Sequence, residues 1–279
     1  MPTYETPGPI SAALHVPAGT VRLLATDRTD TRVEVRPRDA GNKADVRAAE
    51  QTRVDYESRK LKLRAPRQRG ASGPNGILDV VVELPTGSDL EVRGSSVNLR
   101  SEGRLGEFRC RSASGAIDLD ATGPLDLHSA SGDVTVNRVV GRIEVRLGSG
   151  DVRIREIDGS GSVKNSSGDL HVGDVAGDVR LNAASGDVFV AVANADVHAK
   201  AATGNVVLAE VRGGSVVAET STGQLEIGIR ESVAAWLDLC SQTGSAHSSL
   251  TTTDGPQQGE ETVKVEARTV SGDIVIRRS

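Results

Sequence analysis

Aromatic side chains are almost missing from these 279 residues: Tyr4, Tyr56, Phe108, Phe189 and Trp236 are the whole set, and Met1 is the single methionine. A core of bulky, irregular side chains is excluded, and so is a row of rings on which sugars could stack. Cysteine is scarce too. Cys110 and Cys240 could close one disulfide at most, but the repeat register given below sets them seven coils apart, roughly 33 Å at strand spacing and beyond disulfide reach. Long apolar runs are absent; runs such as Val80-Val81-Val82 fall far short of the roughly 20 residues needed to span a bilayer. There is no basic excess, since the formal charge is −5, so no global field favours a polyanion and nucleic acid is not an expected partner. The N-terminal Met1-Pro2-Thr3-Tyr4-Glu5 lacks the basic stretch and apolar run of an export signal. The expectation is a soluble, cytoplasmic protein without membrane insertion.

Glycine, with 31 copies, and branched aliphatics are abundant, and they recur with a period. A Ser/Thr-Gly dipeptide stands at Ser114-Gly115, Ser131-Gly132, Ser149-Gly150, Ser167-Gly168, Ser185-Gly186, Thr203-Gly204, Thr222-Gly223, Thr243-Gly244 and Ser271-Gly272. Successive glycines are 17, 18, 18, 18, 18, 19, 21 and 28 residues apart. A regular middle with drifting ends is the signature of a solenoid, because inner coils must match their neighbours and terminal ones need not.

Counting each coil from its Gly as zero, the one beginning at Gly168 has Leu170, Val172, Val175, Val179 and Leu181 at +2, +4, +7, +11 and +13, with Gly177 at +9. The coil from Gly132 repeats the pattern with Val134, Val136, Val139, Ile143, Val145 and Gly141. Two short period-two segments read as strands, and the glycine between them supplies a second corner. No coil can bury its inner face alone, so each stacks on the next at about 4.8 Å. The fold expected is all-β: a parallel β-helix with ~18-residue coils, right-handed by the general preference of parallel crossovers.

The Ser/Thr-Gly pairs read as corners: the hydroxyl bonds neighbouring backbone or a stacked hydroxyl, and Gly permits positive φ. Nine such sites cannot each be a nucleophile, and no paired His accompanies them. Of His15, His128, His171, His198 and His247, only His171 and His198 are expected on outward strand positions. At +1 stands a column of acids, Asp133, Asp151, Asp169 and Asp187, with Asp273 in the last unit. Stacked carboxylates raise a calcium reading, yet calcium takes six to eight oxygens and the nine-residue Gly-Gly-x-Gly-x-Asp pattern of calcium-binding β-rolls is absent. The reading preferred is a turn acid that bonds backbone and is balanced by Arg146, Lys164 or Lys200 at +14, with no metal or cofactor required. Polysaccharide-cleaving β-helices need grouped carboxylates in a groove, whereas the outward +3 column, Thr135, Arg153, His171, Phe189, Val207 and Glu226, is chemically mixed. Hexapeptide acyltransferases keep a steady six-residue apolar period, which the spacings here do not follow. The chain does not read as an enzyme.

Arg93-Gly94-Ser95-Ser96-Val97-Asn98-Leu99 resembles a degenerate first coil, which puts repeats over 90–279 and a less regular β cap over 1–89. Within the cap, Ala44 to Gln51 has helix-forming composition. Residues 67–76 and 251–260 read as loops, and as contact candidates by position alone. The charged end Arg277-Arg278 is expected to stop another strand from pairing.

The order of a β segment with Pro17-Ala18-Gly19, a Glu83-Leu84-Pro85-Thr86-Gly87 element, repeated Ser-Gly-Asp-Val units and a terminal Ser271-Gly272-Asp273-Ile274 resembles a bacterial β-strand-repeat family of unknown function labelled putative adhesin, in the form found in actinobacteria. The resemblance spans nearly the whole chain. It implies a β-helical fold and no catalytic residues to carry over. The function expected is that of a non-catalytic interaction scaffold for another protein or an envelope component. The alternatives are self-assembly through solenoid ends, in the manner of bactofilins, and a calcium-dependent carbohydrate-active enzyme.

Overall fold

The computed structural model describes residues 2–66, 76–251 and 261–279. Two compact units meet at Val140 and Gly141 in the chain. The loops read at 67–76 and 251–260 fall almost wholly outside the described residues.

The second unit shows why the repeat folds as it does. Its strands are β14 (Ile143–Ser149), β15 (Val152–Asp158), β16 (Gly161–Ser167), β17 (Leu170–Val175), β18 (Val179–Ser185), β19 (Val188–Ala193), β20 (Val197–Thr203), β21 (Val206–Val211), β22 (Gly214–Thr222), β23 (Leu225–Ile229), β24 (Val233–Thr243), β25 (Ala246–Ser248), β26 (Glu261–Ser271) and β27 (Ile274–Arg278). Each coil supplies one strand to each of two parallel sheets. In one sheet Leu170 pairs with Val188 and Val188 with Val206; in the other Val179 pairs with Val197 and Val197 with Val216. Period-two alternation sends Val152, Leu170 and Val188 into one row that no solvent reaches. Burial of each such side chain contributes about 1.5–3 kcal/mol, and only stacking on a neighbouring coil completes it.

Spatial order departs from chain order at this unit's last coils. β26 lies between β22 and β24, and β27 lies between β23 and β25. The expectation that Arg277-Arg278 would end the pairing is therefore wrong. Arg277 pairs in register with Gly228 and Arg278 with Ile229. Arg277 Nε donates to Glu226 at 2.7 Å, and an Arg278 N–H donates to the carbonyls of Arg230 and Val233 at 2.8 Å each. With their charges held this way, the arginines fit an internal strand, and the edge passes to β24 and β25.

The first unit holds β1 (Thr3–Glu5), β2 (Ser11–His15), β3 (Ala18–Thr26), β4 (Asp30–Pro37), α1 (Lys43–Gln51), β5 (Arg53–Glu57), β6 (Lys60–Arg64), β7 (Leu78–Pro85), β8 (Asp89–Arg93), β9 (Ser96–Glu102), β10 (Phe108–Ser112), β11 (Ile117–Thr122), β12 (Leu125–Ser131) and β13 (Val134–Val140). Parallel pairing runs through residues 11–26 and 60–85 as well as the later repeats. β2 joins β8 to β6, and β3 joins β9 to β7. Antiparallel β4, β1 and β5 finish the two sheets. The helix expected over 44–51 is present as α1; Asn42 caps it, and buried Asp45 accepts the Ile77 N–H at 2.9 Å. In this unit Val134 is buried and pairs with Ile117. No helix among the described residues is long and apolar enough to cross a membrane.

Candidate functional site

The corner glycines are fixed by close approach as much as by φ. A Cβ built on Gly186 would lie 2.2 Å from the Gly168 carbonyl oxygen, and one on Gly204 would lie 2.1 Å from that of Gly186. The hydroxyls use backbone carbonyls rather than one another. Ser131 Oγ donates to the Ala113 carbonyl at 3.3 Å, Ser114 Oγ to that of Ser95 at 3.3 Å, and Thr243 Oγ1 to that of Val270 at 2.9 Å. A second set of corner-binding residues, three positions before the Gly, escapes the Ser/Thr-Gly pattern and includes Thr220, Thr269 and Asn165. Asn165, inside the coil at +15, gives Nδ2 to the carbonyls of Gly150 and Gly168 at 2.8 and 2.9 Å. Its column holds Leu147, Ala183 and Ala201 in some coils and the buried Thr220 and Thr269 in others, so the signal was a recurrent polar residue three positions before the Gly.

The acid column works as a ladder. Asp151 Oδ1 accepts the Asp169 N–H at 3.0 Å, Asp169 Oδ1 the Asp187 N–H at 2.9 Å, and Asp187 Oδ1 the Asn205 N–H at 2.7 Å. Asn205 continues it with Gln224, and Asp273 accepts from the Ser245 N–H and hydroxyl, each at 2.8 Å. The second corner repeats the device, for Asp196 Oδ1 accepts the Ser215 N–H at 2.8 Å. Each carboxylate thereby bonds the start of the next coil.

The base that Asp151 meets is not the one expected at +14. Asp151 Oδ2 meets Arg153, two residues on along the same strand face, at 2.8 Å. Arg146 goes instead to Glu144 at 2.5 Å and Lys200 to Glu219 at 3.0 Å. In a strand, i and i+2 share a face, whereas the +14 residues lie on the other sheet. The Asp169 N–H, then Arg153, holds the Asp151 carboxyl below the usual carboxylate range, against the opposing effect of desolvation. Among the described residues no three His, Cys, Asp or Glu side chains converge as metal ligands.

The histidines are more strand-borne than expected. His15, His128 and His247 also sit on strands with solvent access; His128 Nε2 lies 3.1 Å from Asp126, and His171 stacks near Phe189, centroids 5.9 Å apart. Cys110 is buried, which pushes its thiol up to about 12, whereas Cys240 is exposed on β24.

A shallow groove of about 780 Å³ runs beside the second corner of the second unit. Arg142, Arg180 and His198 line it together with Asp178, Asp196 and Ser162. Ser162, Arg180 and His198 fall in one column because β16, β18 and β20 pair in register. Strands β16 and β18 carry Lys164 and Arg180 and no acid. The groove beside them is mixed in charge, with Asp178 and Asp196 set against Arg142 and Arg180.

Solved structures similar to this chain include a putative adhesin from Parabacteroides merdae, 13% identical, with a TM-score of 0.49 and 82% of this chain and 91% of that one covered. A putative adhesin from Bacteroides fragilis is 10% identical, with a TM-score of 0.38 and coverage of 100% and 95%. A putative cell adhesion protein from Clostridium sporogenes is 11% identical, with a TM-score of 0.24 and coverage of 100% and 98%. No curated protein matches the chain. The Toastrack DUF4097 family model matches residues 14–212, well over half of the sequence, so this stacked-coil chain belongs to the Toastrack DUF4097 family.

Proposed function

We propose that the protein is a non-catalytic scaffold that presents fixed columns of side chains to another protein or to an envelope component. The observation that carries this reading is how the acids are used. Asp151, Asp169, Asp187, Asp196 and Asp273 spend carboxylate oxygens on the backbone of the next coil, so the repeat's most regular polar feature is structural. A general acid or base needs its carboxyl free to exchange a proton with a substrate. Outward residues remain for recognition, and the register holds them in columns at strand spacing. The groove that presents Arg142, Arg180 and His198 beside Asp178 and Asp196 is the surface best suited to a partner of complementary charge pattern.

Affinity capture from native lysate followed by cross-linking mass spectrometry tests this. A partner that cross-links near Lys164 and Lys200 and is lost from an Arg142→Glu/Arg180→Glu variant of wild-type stability supports the reading. No reproducible partner, or capture indifferent to both charge reversals, contradicts it.

A further inference from the structure

We infer that two copies of this chain pair through the free edge of β24, antiparallel, about a two-fold axis at Leu237. This goes beyond partner binding on the groove face and is independent of it.

Strand β24 is eleven residues long and lies at the edge of its sheet, paired among the described residues with β26 alone. Alternate residues along an edge strand point their N–H and C=O away from the sheet, and a long edge left so is a template for another strand. Protective devices are scarce here. Val233-Ala234-Ala235-Trp236-Leu237-Asp238-Leu239-Cys240-Ser241-Gln242-Thr243 contains no Pro, Gly, Lys or Arg. Its one charge, Asp238, is met by Arg268 at 3.3 Å. Trp236 stands 74% exposed. Leu237 and Leu239 remain only half-buried, whereas their register partners on β26, Val265 and Ala267, are fully buried. The inner layer is thus one coil short of closure.

The occupant that fits is a second β24. A two-fold axis makes the contact isologous and the paired strands antiparallel. Centred on Leu237, it sets Leu237 against Leu237 and Ala235 against Leu239 of the other copy, which continues the apolar layer. It sets Trp236 opposite Asp238, so the two carboxylates do not face each other. The assembly closes at two because the edge strands of the first unit are guarded: β1 has three residues, and β5 carries exposed Arg53, Asp55 and Glu57. A filament would need a second open edge of this kind.

Sedimentation equilibrium of the full chain across the micromolar range tests the pairing, with Trp236→Lys and with Leu237→Cys in a Cys240→Ser background. Expected are a species of twice the 29.1 kDa chain mass, at least about tenfold weaker association for Trp236→Lys, and a disulfide-linked Leu237→Cys dimer under mild oxidation. Directly opposed residues have Cα atoms about 4.5–5.5 Å apart, within disulfide range. A melting curve of Trp236→Lys that overlays the wild type shows that lost association is not lost folding. A monomer at every concentration overturns the inference. So does a dimer that Trp236→Lys leaves intact and Leu237→Cys does not link. Groove-dependent partner capture is read separately and survives either result.

Discussion

Replacing Gly186 by Ala places a methyl group where the preceding coil's backbone already lies. Gly186 has φ +127°, and its Cβ would sit 2.2 Å from the Gly168 carbonyl oxygen and 2.6 Å from the carbonyl carbon. The backbone conformation alone costs an L-residue about 1–2 kcal/mol. The clash is with main chain, so relief has to come from spreading two coils. Spreading stretches the bond from Gly168 N–H to the Ser185 carbonyl, now 3.0 Å, and that from Asp187 N–H to Asp169, now 2.9 Å. Each contributes about 1 kcal/mol, so the total loss is about 3–4 kcal/mol. Gly213 is the control, since its added Cβ would meet only the Asn194 carbonyl oxygen, at 3.9 Å. Gly213→Ala should stay within about 0.5 kcal/mol of wild type. Urea unfolding followed by circular dichroism reads both variants as midpoint shifts at constant slope, and Gly186→Ala should lower the midpoint by about 1 M or more. A loss under about 1 kcal/mol for Gly186→Ala would refute the close-stacked corner.

Three further outcomes follow from the ladder and the thiols. Asp169→Asn should be nearly neutral in a thermal melt, because Asn205 already serves as acceptor in the same column, while Asp169→Ala should cost about 1–2 kcal/mol by leaving the Asp187 N–H unbonded; equal losses would count against the ladder. Asp151 is held below its ordinary range in the native state, so its stabilisation is complete above about pH 4 and is lost as pH falls through the lower native value. Melting temperatures of Asp151→Asn should therefore fall less steeply than wild type on acidification, and parallel curves would rule out that contribution. In a native thiol titration Cys240 should react promptly, and Cys110 only on unfolding; two prompt thiols would show that the coil around Cys110 is open.

Local chemistry was legible and neighbour choice was not. Gly132, Gly150, Gly168 and Gly186 announce the corners because each must accept a backbone at close range, and the +2 and +4 valines announce the inner row because a one-residue slip would turn them to solvent. Nothing periodic states which coil lies beside which. The insertion of β26 and β27 between earlier strands leaves the same alternation in the sequence as simple succession would, so the edge was placed at Arg278 instead of β24. The salt-bridge error has a similar origin. Acid-x-base triplets such as Glu91-Val92-Arg93, Glu107-Phe108-Arg109, Glu144-Val145-Arg146 and Glu210-Val211-Arg212 were in plain view, and all pair at i, i+2. Being largely exposed, they contribute little to stability. Asn165 was missed, although Thr220 and Thr269 stand in the same column, because an inner polar residue has no evident partner until the corner carbonyls, here those of Gly150 and Gly168, are seen on either side of it.

Cysteine pairs placed on adjacent coils read the stacking register itself. With Cys240 replaced by Ser, Lys164→Cys and Asn182→Cys stand directly opposite on β16 and β18, so mild oxidation should close the bond without lowering the melting temperature. Ser162→Cys with Asn182→Cys is displaced by two residues, about 8 Å apart, and should stay reduced. Linkage of the displaced pair in preference to the opposed one would mean that the coils do not stack in this register.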